Sequence, residues 1–118
     1  MTVSILGTPY TIKRVRYDEE EAFARRNIDG FCNVCTKEIV LCDMHTCKGW
    51  EHEDDQTVLA AEKQTLRHEI VHAFFGESGL VQNCLQYDGS WPDNEELVDW
   101  LAWQGPKLYE AWKEAGAL

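Results

Sequence analysis

The chain predicts an α+β domain. Small N-terminal β-hairpins, an antiparallel sheet, should pack on one long helix that carries the chemistry and on a C-terminal helix that bears a glutamate. Three observations predict this. Short β-prone runs punctuated by turn residues fill the first third of the sequence. A helical repeat then runs through the middle, and a second one follows Pro92. At 118 residues there is room for one core, so a single domain spanning 1–118 is expected.

The elements follow in order. "VSILGTPYTIKRVRY" holds two β-prone runs around Gly7-Thr8-Pro9, a hairpin signal. "DEEEAFARRN" begins with acids and ends with bases, as the dipole of a short helix favours. Gly30 breaks it. "GFCNVCTKEIVLC" reads as a second hairpin, with Lys37-Glu38-Ile39-Val40-Leu41 as its clearest strand. "EHEDDQ" is acidic and exposed, and it offers Asp54 or Asp55 as an N-cap. The long helix should run from about Gln56 to Phe75 and stop at Gly76, with Leu59, Leu66, Ile70, Ala73 and Phe74 at helical spacing and most of its sides buried. A loop from Gly79 to Asp93 follows. The last helix opens near Pro92-Asp93-Asn94, and Gly105-Pro106 should end or kink it. Its tryptophans, with Trp91, read as core or as a partner surface.

A net charge of −10 repels phosphate backbones and anionic membranes, so neither nucleic acid nor a membrane is an expected partner. A regulatory protein with basic patches is compatible with it. No apolar run approaches a membrane span, and the N-terminus lacks a signal-peptide pattern, so a cytoplasmic location is expected. The five cysteines then read as reduced thiols or metal ligands.

The chemistry concentrates in "TLRHEIVHAFFGESGL". His68-Glu69-Ile70-Val71-His72 is the HExxH pattern. Residues four apart differ by about 40° around a helix, so both imidazoles can reach one zinc. Glu69 lies beside them, where its carboxylate can take a proton from a zinc-bound water. A catalytic zinc takes three protein ligands and keeps one position open. "NEELVDW" supplies a candidate third. Glu95 and Asp99 share a helix face, so Glu95 can bind the metal while Asp99 accepts the N–H of a ligating histidine.

HExxH followed by NExxxD, here His68, Glu69, His72, Asn94, Glu95 and Asp99, resembles the signature of the gluzincin zinc metallopeptidases, of which thermolysin is the familiar member. The surrounding residues, from about 60 to 108, look still more like small phage- and prophage-encoded metallopeptidases related to the ImmA/IrrE type. The resemblance implies a minimal zincin-like hydrolase with His68, His72 and Glu95 on zinc, Glu69 as general base and acid, and Asp99 orienting a histidine. It also implies that a strand beside the active helix pairs with extended peptide substrate, for which strand 37–41 is the candidate. Large gluzincins add groups that stabilise the oxyanion from a further domain. Here Tyr87 is a candidate donor, with Tyr10 and Tyr109 as alternatives.

A second, structural zinc is suggested by Cys32-x-x-Cys35 and the later Cys42, His45 and Cys47, whose thiolates suit that metal. Cys84 and His52 carry no expected role. The reading from another functional class is a zinc-binding regulatory module that keeps the fold and cuts nothing.

Overall fold

The computed structural model describes residues 1–83, 91–116 and 118. The element order is β1 (Thr2–Ile5), β2 (Thr8–Arg16), α1 (Glu21–Arg26), β3 (Gly30–Asn33), β4 (Glu38–Asp43), α2 (Asp55–Glu77), α3 (Leu80–Asn83) and α4 (Glu95–Glu114). The α+β class is as expected. Both hairpins form, β1 with β2 and β3 with β4, each antiparallel. Leu6 and Gly7 turn the first with positive φ of 50° and 87°, the backbone a two-residue hairpin loop requires. Asn33 organises the second, its side-chain oxygen accepting from the amides of Cys35 and Thr36.

The sheet is not the purely antiparallel one expected. Its order is β1-β2-β4-β3, and β2 pairs with β4 in parallel through a crossover that contains α1 and β3. That makes β4 an interior strand. Its residues Ile39, Val40, Leu41 and Cys42 are all buried, the continuous apolar run of a strand covered on both faces. One face carries Ile5, Tyr10, Ile39 and Leu41 against Ala73, Leu66 and Ile70 of α2. The other carries Val40 and Cys42 against Phe23, Met44 and Val58.

Helix α2 starts where Asp54 accepts from the amide of Thr57 at 2.7 Å. It does not stop at Gly76, which is buried within it. A Cβ there would lie 2.5 Å from Cγ2 of Val34. The glycine therefore seats the β3–β4 turn against the helix instead of ending it. Gly30 does the same at the other end of β3, where a Cβ would meet Thr65 at 2.8 Å. Between Thr65 and Gly76 the helix rises roughly 16 Å at about 1.5 Å per residue, so β3 runs alongside the stretch that contains His68, Glu69 and His72. The outer side of α2 is open: Leu59 and Phe74, expected in the core, are 51% and 40% exposed.

Helix α4 is capped by Asn94, which accepts from the amide of Leu97. Gly105-Pro106 does not end it; Pro106 lies inside the helix. A proline has no N–H, so the carbonyl of Ala102, four residues earlier, loses its intrahelical donor. Arg67 of α2 supplies one, its Nε donating to Ala102 O at 2.6 Å. Among the helix's tryptophans the core reading fails: Trp100, Trp103 and Trp112 are exposed. Trp91 meets Phe75 edge-on at 5.7 Å. Among the described residues no helix is long and apolar enough to cross a membrane.

Candidate metal centre and its cleft

The HExxH residues occupy the middle of α2, and α4 crosses it with Glu95 in its first turn. Because Asn94 caps α4, Glu95 and Asp99 stand on successive turns facing α2. Two contacts fix the crossing. Arg67 holds Ala102 as above, and Asp99 Oδ1 lies 2.6 Å from His68 Nδ1.

The Asp99 contact sets the chemistry of His68. A carboxylate accepts, so Nδ1 carries the proton and Nε2 keeps its lone pair. That Nε2 lies 3.1 Å from His72 Nε2 and 3.0 Å from Glu95 Oε2. Glu95 Oε1 lies 3.2 Å from His72 Nε2. Burial lowers the pKa of His72, with the opposing pull of Glu95 second and His68 lowering it further. His68 Nε2 and the Glu95 carboxylate thus converge as acceptors on His72 Nε2, which donates to them when it carries the proton and becomes a third acceptor when Nδ1 carries it. In that second tautomer the lone pairs repel unless a cation lies among them. Zinc at about 2.0–2.1 Å from each donor would set tetrahedral ligands about 3.3 Å apart, close to the separations present. The donor set fits that ion.

Glu69 is 6% exposed and is the one buried acid among the described residues. Burial pushes its carboxyl up to about 7; the nearby His68 pulls it down and Glu95 raises it. Its ligating atom lies within 4.8 Å of those of His68 and His72. The cleft over these residues measures about 530 Å³ and is walled by Ile28, Gly30, Phe31, Cys32 and Val34 on one side and by Val81 and Gln82 on another. A second hollow of about 350 Å³, bordered by Gln64, Thr65 and Asp99, opens on three of the same side chains, His68, Glu69 and Glu95, with Gly30 behind them.

No protein-family model, characterised protein or solved structure matches this chain. The gluzincin resemblance therefore rests on the residues of its two motifs.

The other expected site residues fare differently. Strand 37–41 cannot pair with a substrate, because β4 already bonds β2 on one side and β3 on the other. Lys37 precedes it in the turn, at φ 61°. The strand at the sheet edge beside the cleft is β3. Tyr10 is fully buried and donates to Glu77 Oε2 at 2.7 Å, so its hydroxyl is already engaged. Tyr109 lies ten residues past Asp99, about 15 Å further along α4 at 1.5 Å per residue. Tyr87 and Cys84 fall outside the described residues.

The cysteine and histidine cluster is not brought together. Cys32 pairs with Ile39 across the hairpin and joins the core beneath α2. Cys42, three residues from Ile39, points to the opposite face and packs with Phe23, Met44 and Cys47. Cys35 is exposed at the turn, and His45 Nε2 lies 3.0 Å from Asp55. A zinc joining Cys32, Cys35, Cys42 and His45 or Cys47 would have to pass through the sheet. Burial pushes the thiols of Cys32 and Cys42 up to about 12, which favours inert, packed thiols over metal-binding thiolates.

Arg26 also belongs to the site. It stands at the basic end of α1, lines the cleft and acts electrostatically on Glu69. The available signal was weak: an Arg-Arg pair just before the strand that becomes the cleft wall.

Proposed function

We propose that this chain is a zinc-dependent metallopeptidase of the gluzincin kind. The observation that carries the reading is the convergence of His68 Nε2, His72 Nε2 and the Glu95 carboxylate within 3.0–3.2 Å, beside a buried Glu69 and under an open cleft. A bound zinc supplies Lewis acidity toward a peptide carbonyl and makes water acidic enough to attack near neutral pH. The residues of the chain do the rest. Asp99 holds His68 in the tautomer that presents Nε2. Glu69 takes a proton from the attacking water and delivers it to the departing amine nitrogen. The free edge of β3 offers main-chain groups to an extended peptide, which would add as a strand within reach of Glu69. The walls of Ile28, Phe31 and Val34 favour apolar side chains next to the scissile bond.

Glu69→Gln tests the reading. It keeps the volume and the ligands and removes the base. The variant should retain the zinc content of the wild type and lose cleavage of a peptide library by about 10²–10⁴-fold. Equal cleavage by both proteins would refute the role of Glu69. Stoichiometric zinc in both, with no cleavage by either, would favour the regulatory module.

A further inference from the structure

Arg26 differs from the other four arginines of this molecule. The chain carries 21 acids against 11 bases, and the other arginines all have hydrogen-bond partners. Arg14 forks onto Glu62, Arg16 meets Asp18, Arg25 meets Glu21, and Arg67 caps Ala102. Among the described residues Arg26 has no carboxylate within salt-bridge distance, although it lines the same cleft as Glu69, Asp93 and Glu95. It lines the cleft at an exposed position and acts electrostatically on Glu69. A guanidinium recognises a carboxylate with two parallel hydrogen bonds. The apolar wall of Ile28 and Phe31 adjoins it, so a residue bearing an acid would find both a contact surface and a counter-ion.

We infer that Arg26 anchors a carboxylate of the bound peptide, and so selects substrates that carry an acidic group near the scissile bond. The inference rests on the peptidase reading. The carboxylate is either a side chain or the C-terminus of the peptide. Arg26 is a positioning residue here and takes no part in bond cleavage.

A hexapeptide library prepared in three matched forms separates the alternatives: free C-terminus, C-terminal amide, and amide with every Asp and Glu replaced by Asn and Gln. Each form is incubated with the zinc-loaded Glu69→Gln protein, and retained peptides are counted by mass spectrometry. Acid-bearing forms should be retained about tenfold more than the neutral form, a difference of about 1.4 kcal/mol. Preference for the free acid over its amide identifies the C-terminus; preference that survives amidation identifies a side chain. Adding Arg26→Ala should erase the preference without lowering retention of the neutral form, and Arg26→Lys should restore part of it. Because Arg26 is exposed, these substitutions leave the fold intact. Equal retention of all three forms, retention of none, or a preference that survives Arg26→Ala overturns the anchor. Cleavage by the wild type that ignores peptide charge overturns the anchor and leaves the peptidase. Arg26-dependent retention with no cleavage by the wild type does the reverse.

Discussion

A carboxylate surrounded by three donors ties the end of α2 to both hairpins. Glu77 accepts from Thr8 Oγ1 at 2.8 Å, from Tyr10 OH at 2.7 Å and from Lys37 Nζ at 2.7 Å. The hydrogen bond from Lys37, then those from Tyr10 and Thr8, hold its carboxyl down to about 2 from an ordinary 4.5. A folded-state value below the unfolded one stabilises the fold above the unfolded pKa and stops doing so as pH falls through the folded one. The wild type should therefore lose thermal stability between about pH 5 and pH 2 more steeply than Glu77→Gln. Midpoints measured across that range check this; parallel profiles would contradict it. The residues of the candidate metal centre were legible in the sequence because their geometry is local: i to i+4 on one helix fixes His68 with His72, and again Glu95 with Asp99. The Glu77 cluster was not legible, since its partners lie 40 to 69 residues away.

At the level of elements, glycine and proline misled because their usual meanings are local and their roles here are not. Gly76 exists for Val34, and Pro106 is tolerated because Arg67 replaces the missing donor. The second point predicts a coupling. Arg67→Ala leaves a carbonyl unpaired and should cost about 1–3 kcal/mol in urea unfolding. In a Pro106→Ala background the amide of residue 106 can bond Ala102 itself, and the same substitution should cost measurably less. Additive costs would refute the compensation. The glycines give a paired test. Gly105 has open space around an added Cβ, so Gly105→Ala should stabilise by about 0.5–1 kcal/mol. Gly76→Ala should destabilise by about 1–3 kcal/mol, since Val34 must move. The strands followed the same pattern. Both hairpins were readable from turn residues, whereas the parallel β2–β4 pairing was not. That pairing turned strand 37–41 from an imagined docking edge into the centre of the sheet, and strand parity sent Cys32 and Cys42 to opposite faces.

For the molecule as a whole, the sheet and α4 hold three potential metal ligands together around α2. A cation that binds there binds the folded state, so it should raise stability, by about 2.7 kcal/mol at a free concentration a hundred times its dissociation constant. The direct test of the site is zinc content per chain, measured by elemental analysis after equilibration with zinc and removal of the excess. The account predicts close to one zinc in the wild type and in Glu69→Gln, and a clear loss in His72→Ala and Glu95→Ala. No zinc in the wild type, or an undiminished content after His72→Ala, would contradict it.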